Sequence, residues 1–458
     1  MIASLNTASA DLLAKYDVPS PRYTSYPTVP YWDEKPLTQA QWLQHVRQAF
    51  RKSNSTNGIS LYLHLPFCEQ LCTYCGCNKR ITKNHQVEEP YMAALLQEWA
   101  LYLATFDEKP RLTELHLGGG TPTFFSAQNL KSLLEQLLEP VEVTAGAALS
   151  VEVHPNATNA AQLQVLYDLG FRRLSVGIQD FDPRVQFLIN RIQTFEQTKQ
   201  TFDDARAIGY TSINGDIIYG LPHQTTDSIR HTIEKVKELR PERIAFYSYA
   251  HVPWKSKAQR RYSEADLPAP ADKRALYELG RNLLEEAGYN EIGLDHFALP
   301  EDELYLAAQT GTLHRNFMGY TPRPTQLLIG LGASSISDTG TAFIQNVKEV
   351  EAYEAAVAEN RLPLLKGHEL TDEDMRIRQH ILNLMCRFAS FWEKAEQPYL
   401  QDALQRLQPL EDDGLVACSD MDIQVLPAGQ PFLRNIAMCL DARLWRDKPT
   451  TPVFSRSV

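Results

Sequence analysis

No uninterrupted apolar run in these 458 residues reaches the ~20 needed to cross a bilayer, so a membrane-spanning helix is not expected. Basic charge is also in deficit: 45 Lys and Arg stand against 56 Asp and Glu, a net charge of −11. That balance argues against a nucleic acid or an anionic membrane as the main partner and leaves room only for a local basic pocket. The opening stretch, "MIASLNTASADLLAKYD", has no basic segment followed by an apolar one. It does not read as a secretory signal, and a cytoplasmic location is expected. Cysteine is scarce, with seven in all. An odd number in a chain of this size and compartment does not suit a disulfide framework. Cys386, Cys418 and Cys439 lie scattered in apolar or mixed surroundings and read as buried free thiols.

The other four cysteines crowd into ten positions of "HLPFCEQLCTYCGCN". Around them, from Ile59 to about Tyr249, one pattern repeats. Apolar runs at 59–65, 114–117, 148–153, 172–178, 213–219 and 243–249 alternate with amphipathic stretches such as "PYMAALLQEWALYLATF" and "DSIRHTIEKVKELR". Six βα units in a row imply a parallel sheet with helices outside it. A doubly wound sheet also fits, and the eight units of a closed barrel are not evident, because the pattern blurs after Gly288. Two flanks differ in composition. Residues 1–48, with "SPRYTSYPTVPYW", read as an extended arm and not as a core element. Residues 347–458 read as a mostly helical domain whose end, a helix, two short strands and a helix, has winged-helix order. It lacks a basic recognition face, so packing or a lid is the expected role and not DNA binding. The domain expectation is therefore 1–48, 49–346 and 347–458.

Cys68, Cys72 and Cys75 form C-x3-C-x2-C directly after the first strand. Three thiolates on one tight loop can each hold one iron of a cubane, leaving a fourth iron open to a small molecule; fully ligated clusters use four cysteines. Cys77 sits too close to Cys75 to reach the far corner. A zinc knuckle completed by Cys77 or His64 is the alternative, but no second cysteine pair accompanies it. A redox pair Cys72–Cys75 would leave the other thiols without a purpose. "GGGTP" at 118–122 lets the backbone approach a ligand, or is a plain turn; without a following Lys it is not a phosphate loop. Glu152, at the end of the third strand, faces the crevice where α/β sheets collect ligands, or is a solvated acid. Arg191 can grip a carboxylate with two hydrogen bonds, or lies on a helix surface.

C-x3-C-x2-C after the first strand of a βα repeat is the signature of the radical S-adenosylmethionine (SAM) enzymes. The chain resembles more closely the oxygen-independent coproporphyrinogen III oxidase (coproporphyrinogen dehydrogenase) family. The matching segments are "PRYTSYPT", "FCEQLCTYCGCN", "LHLGGGTPT", "VGIQDF", "DIIYGLP", "YSYAHVP", "GLDHFALPEDEL", "HRNFMGYT" and "RNIAMCLD", from residue 21 to residue 441. The resemblance implies a partial (β/α)6 TIM-like barrel of the radical SAM type in residues 49–346. It also implies a [4Fe–4S] cluster on Cys68, Cys72 and Cys75, and two SAM molecules per chain. Tyr62, Gly119, Glu152 and Ile336 would serve the first SAM; Tyr74, Gly120, Thr121, Gln179, Arg191, Asp216 and Ala250 the second. Three positions depart from the family's pattern. Tyr74 stands where Phe is common, Leu117 replaces an aromatic, and His154 follows Glu152 where Asp is frequent.

The implied reaction is loss of CO2 from two propionates of coproporphyrinogen III, giving the vinyls of protoporphyrinogen IX in haem biosynthesis. A SAM-derived 5′-deoxyadenosyl radical would take hydrogen from each propionate. Four propionates need anchors inside an acidic protein. Arg22 with Tyr23 and Tyr26, and His314 with Arg315, are the candidates, against solvated arm and loop residues. With Cys77, the residues Arg22, Tyr23 and Arg315 complete the expected catalytic set. The expected partners are coproporphyrinogen III and a low-potential electron donor such as flavodoxin or ferredoxin, with the chain a monomer. The alternative is a radical-SAM-like haem chaperone paralogue. Such relatives typically lack the "PRYTSYP" arm and the cysteine at position 77, and both are present.

Overall fold

Ile59–Leu65 (β1), with the sequence ISLYLHL, is buried at every position except Tyr62. A strand covered on both faces belongs inside a parallel sheet, and the computed structural model places it there. The structure describes residues 10–457 apart from positions 36, 255, 325 and 452. The first nine residues, part of the expected arm and of the stretch read for a leader, lie outside the described residues.

Five more strands follow, Arg111–Gly119 (β2), Glu142–Val153 (β3), Arg173–Gln179 (β4), Ser212–Tyr219 (β5) and Arg243–Ser248 (β6). Each pairs in parallel with the one before it. The helices between and after them are Glu88–Leu103 (α1), Ala127–Leu138 (α2), Ala160–Asp168 (α3), Phe195–Ile208 (α4), Thr226–Leu239 (α5) and Pro270–Glu286 (α6). Side chains of Ser126, Asn159, Thr194 and Thr225 accept the orphan amides at the starts of α2 to α5, each cap worth about 1 kcal/mol. Ile229, Ile233 and Val236 of α5 are buried at helical spacing, which is why that segment lies flat on the sheet. Six βα units in succession make this an α/β fold with helices over a parallel sheet.

The sheet is wider than the repeat. Asn290–Gly293 (β7), His296–Ala298 (β8), Leu328–Leu331 (β9), Ile336–Asp338 (β10), Ala342–Asn346 (β11) and Leu364–Glu369 (β12) join it. The order is β12-β11-β10-β9-β1-β2-β3-β4-β5-β6-β8-β7, open at both ends. β9 is parallel to β1, whereas β7, β8 and β10 to β12 pair antiparallel. The sheet thus runs past residue 346 to Glu369. The pattern after Gly288 blurred because these strands are three to six residues long and reverse direction.

A second core gathers the end of the chain. Asp372–Arg387 (α7), Gln397–Asp412 (α8) and Leu433–Leu440 (α9) pack with three short strands. The two strands read from sequence, Val416–Cys418 and Asp422–Val425, are joined by a third, Ala389–Phe391, too short to show a period. Reading the N-terminal segment as an arm outside any core was wrong. Tyr23 (4% exposed) and Tyr26 (1%) belong to this second core. Arg434 Nε donates to the Pro21 carbonyl at 3.1 Å and its Nη2 to that of Ser20, and Tyr23 Oη donates to Asp441 at 3.0 Å. Gln39–Ser53 is a helix closed by a Thr38/Gln41 capping box. Its Trp42, Val46 and Phe50 lie in the main core. Pro- and Tyr-rich composition misled because residues 17–28 bury rings without forming a periodic element, and the periodic stretch at Gln39–Ser53 was passed over beside it.

Tyr26→Ala should therefore cost about 3–5 kcal/mol of stability, as aromatic deletions in a core do, and Tyr26→Phe far less. Urea unfolding of the two variants checks this; equal, small effects would return the arm to the surface.

Candidate active site

The C-terminal ends of β1 to β5 open on one cavity of about 660 Å3. The loop after β1 contributes Cys68, Cys72, Tyr74, Cys75 and Cys77. Gly119, Gly120 and Thr121 come from the end of β2, Glu152 from β3, Gln179 from β4 and Asp216 from β5, and Arg191 closes one side. Strand periodicity explains the inward set, since residues two apart share a face. The register then stacks the layers: His116 lies opposite Ser150, Glu152 opposite Ser175, and Gly177 opposite Asp216.

The cysteine loop is tied on both sides. The Arg80 amide donates to the Pro66 carbonyl at 2.8 Å and the Thr82 amide to that of Cys68 at 2.9 Å. On the other side the Thr73 amide donates to the Ile189 carbonyl at 2.9 Å, and Thr73 Oγ1 to Leu188 at 3.1 Å. Cys68 Sγ is 3.3 Å from Thr121 Oγ1, and Arg191 Nη1 is 3.8 Å from Cys72 Sγ. All four thiols of the loop are free. Burial pushes the Cys68 thiol up to about 11, while the contact with Cys77, helped by the charge of Lys79, holds Cys75 down at about 6. Among the described residues no three metal-ligating side chains converge as they would on a single ion. A cubane does not ask for that, because each thiolate takes a separate iron.

The triple glycine is needed by the protein itself. A Cβ on Gly119, which has φ +111°, would sit 2.7 Å from the His64 ring, and one on Gly120 would sit 2.6 Å from the Pro66 backbone. The Gly120 amide donates to the Leu65 carbonyl and the Thr121 amide to that of Phe67, both at 2.9 Å. The sequence reading gave these glycines to a ligand; close contact with the end of β1 requires them first.

Three charged groups face the cavity. Burial pushes the Glu152 carboxyl up, but hydrogen bonds from His116 at 3.2 Å and from the Gly119 amide at 3.3 Å outweigh it and leave the carboxyl below its ordinary value. Asp216 is pushed up to about 7 by burial and by the charge of Glu152, against hydrogen bonds from Ser175 at 3.0 Å and Asn214 at 2.7 Å. Arg191, 8% exposed, donates to the Gly177 carbonyl at 2.6 Å, and its Nε is buried without a partner. It pairs with no carboxylate among the described residues. A buried guanidinium in that state is costly unless an anion completes it.

Not every expected residue lines this cavity. Tyr62 stacks on His116 and bonds His64 Nδ1 at 3.0 Å, one layer below. The Ala250 carbonyl accepts from Gln259 at 3.2 Å, and Ile336 packs beside Trp32 and Phe343. Arg22 is taken up by Asp295 at 3.2 Å and the Ser248 carbonyl at 2.9 Å, and Tyr23 by Asp441. Arg315 is buried over the Tyr320 ring, bonding the Arg22 carbonyl at 3.4 Å, with Nε and Nη1 unpartnered. His314 beside it lines a separate cleft. Sequence reasoning missed His116, Ser175 and Asn214, which orient the site, and weighed His64 only as a zinc ligand. Alternation along β1 to β5 marks them: His64 stands two residues from Tyr62, His116 two from the first glycine of the triple, Asn214 two from Asp216, and Ser175 four from Gln179.

The Radical SAM superfamily model matches residues 62–236. The chain is 40% identical over 454 residues to the oxygen-independent coproporphyrinogen III oxidases of Salmonella typhimurium and Escherichia coli, covering 98% of each chain. It is 35% identical to that of Synechocystis, again over 98% of both. A solved structure described as "Coproporphyrinogen III oxidase (HemN) from Escherichia coli is a Radical SAM enzyme" superposes with a TM-score of 0.87 at 40% identity, covering 92% of this chain and 98% of that one.

Asp216 generates a pH prediction. Its folded value, about 7, lies above the ordinary 3.8, so the folded state holds a proton that the unfolded chain releases. Wild-type stability should fall, relative to Asp216→Asn, as pH rises from about 4 to 7, and then level off. Urea unfolding of the two apoproteins at pH 5 and pH 8 measures it; a gap that does not widen with pH would remove the buried proton.

Proposed function

The chain belongs to the oxygen-independent coproporphyrinogen III oxidases of the radical SAM superfamily, and from that premise we propose which of its residues perform the reaction. The reaction is oxygen-independent oxidation of coproporphyrinogen III in haem biosynthesis, with loss of CO2 from two propionates to give protoporphyrinogen IX. One observation carries the assignment of residues: three cysteines, a glycine-walled backbone edge and an unpaired buried guanidinium share one cavity. That donor set fits the cofactors of the family. Free thiols suit iron, and Arg191 lacks the anion that a SAM carboxylate supplies.

Cys68, Cys72 and Cys75 would hold the [4Fe–4S] cluster. Tyr62, Gly119, Glu152 and Ile336 are assigned to one SAM; Tyr74, Gly120, Thr121, Gln179, Arg191, Asp216 and Ala250 to a second. When bound, the cluster and SAM supply a 5′-deoxyadenosyl radical that removes hydrogen from a propionate β-carbon. The chain's part is placement and exclusion of water. Glu152, ionised and aimed by His116, can accept ribose hydroxyl hydrogen bonds. Asp216, near its midpoint at neutral pH, can give or accept one. Tyr62 acts from beneath through His116, which holds Glu152, while Ile336, beside Trp32 and Phe343, rests on the family pattern alone. Arg315, cationic with two unpartnered donors, is the strongest of the proposed propionate anchors, while Arg22 and Tyr23 hold the arm that covers it. Cys77 remains outside the ligand set. A monomer acting in the cytoplasm with a low-potential donor such as flavodoxin or ferredoxin belongs to the same proposal. Among the described residues no helix is long and apolar enough to cross a membrane.

Serine at Cys68, Cys72 or Cys75 should abolish iron binding and turnover, whereas Cys77→Ser should keep the iron. Anaerobic iron analysis decides, and loss of iron from the Cys77 variant would redraw the ligand set. Arg191→Ala should weaken one SAM by about 10- to 150-fold, the loss of one charge-assisted hydrogen bond. Equilibrium binding should then fall from two SAM per chain towards one, and a wild-type plateau at one would cancel the second site.

A further inference from the structure

The cysteine loop has an outer face as well as a cavity face. Leu71 on the loop is 37% exposed. Phe187 and Ile192 are each 60% exposed on the segment that accepts the Thr73 hydrogen bonds, and Trp254 is 51% exposed on the segment after β6. These segments are physically one surface. Asn190 Nδ2 donates to the Leu71 carbonyl at 2.7 Å, Gln259 Nε2 to that of Tyr74 at 3.0 Å, and Ser256 Oγ to that of Cys75 at 3.4 Å. Arg261 lies 5.4 Å over the Phe187 ring. None of the four apolar residues lines the cavity, so the patch is not its wall.

Its rim is cationic: of the Lys and Arg on these segments, Lys79, Lys83 and Arg191 line the cavity and Arg80 pairs with Glu351, which leaves Arg184, Lys257, Arg260 and Arg261 among the described residues for the outer face. Arg184, Lys257, Arg260 and Arg261 are exposed, and none pairs with a carboxylate among the described residues. An apolar centre with an unpaired cationic rim fits an acidic protein partner.

We infer that this face is where an acidic one-electron carrier protein, with a flavin or iron–sulfur centre, docks to reduce the site. The inference rests on the functional reading above, which requires a reductant. One electron leaves the reduced carrier for the cluster behind the loop; the carrier is oxidised by one electron, and no atom or proton has to cross the interface. The patch seats the carrier against the backbone of the cysteine loop itself, while the cavity stays open to SAM and substrate on its other side.

The test uses the iron-loaded enzyme and an acidic flavodoxin as the probe. The triple variant Arg184→Glu, Arg260→Glu, Arg261→Glu should bind flavodoxin at least about 10-fold more weakly by anaerobic calorimetry, with a flatter dependence on salt. Phe187→Ser with Trp254→Ser should weaken binding without changing that slope. Iron content, SAM binding and dithionite-driven turnover should match wild type in both. Unchanged flavodoxin affinity, or no binding by the wild type, overturns the docking site. A raised KM for coproporphyrinogen III under dithionite gives the patch to the substrate and overturns it too. Failure of dithionite-driven turnover in the wild type would instead strike the functional reading, which the calorimetry does not touch.

Discussion

The close approach of residues 118–120 to the end of β1 is the constraint on which the rest of the site depends. Here the amides of Gly120 and Thr121 continue the β1–β2 ladder onto Leu65 and Phe67, and no side chain fits between. The cysteine loop therefore departs from a fixed edge, with Cys68 against Thr121. Any ligand bridging the thiols and the glycine backbone meets both at a set spacing. The cost of holding that geometry is borne by glycines and a left-handed φ at Gly119, not by a strained bulky residue.

A second knot fixes the sheet's other edge. Glu98 of α1 is fully buried and takes hydrogen bonds from the Gly332 amide at 2.8 Å, Asn346 at 2.7 Å and Tyr353 at 2.7 Å. Burial pushes its carboxyl up to about 7 in spite of them. One polar group thus ties the first crossover helix to β11 and to the turn after β9. The antiparallel extension is bonded to the parallel core through it, and the β1 end near His64 inherits a rigid neighbour.

Much of this was legible in the sequence because it is periodic or locally spaced. The six βα strands announce themselves by apolar runs of four to seven residues, and the cysteine loop by its spacing. Long-range contact left weaker traces. Nothing near Tyr26 says that it will be buried in the core of α7 to α9, because the first of those helices begins only at Asp372. Arg22 looked like a free anchor in isolation, and only Asp295 and Ser248 show that it is engaged. The glycines at 118–120 were singled out for a ligand or a turn, and their closeness to the end of β1 went unseen, since sequence carries no record of what a missing Cβ avoids. His116, Ser175 and Asn214 were readable from alternation alone and were passed over for residues with a stronger chemical signature.

The two ends of the described chain are bonded to each other. Pro19 bridges Arg456, the Ser20 amide donates to the Ser455 carbonyl at 3.0 Å, and Arg456 pairs with Asp17 at 2.5 Å. Arg434 clamps both strands of this contact at once. On a ribosome, then, residues 17–23 emerge long before residues 434–457 and find their seat only when these have followed. The six βα units and the cysteine loop are complete on the nascent chain well before that closure. The contact between residues 17–23 and 434–457 therefore forms after the cavity in every round of synthesis.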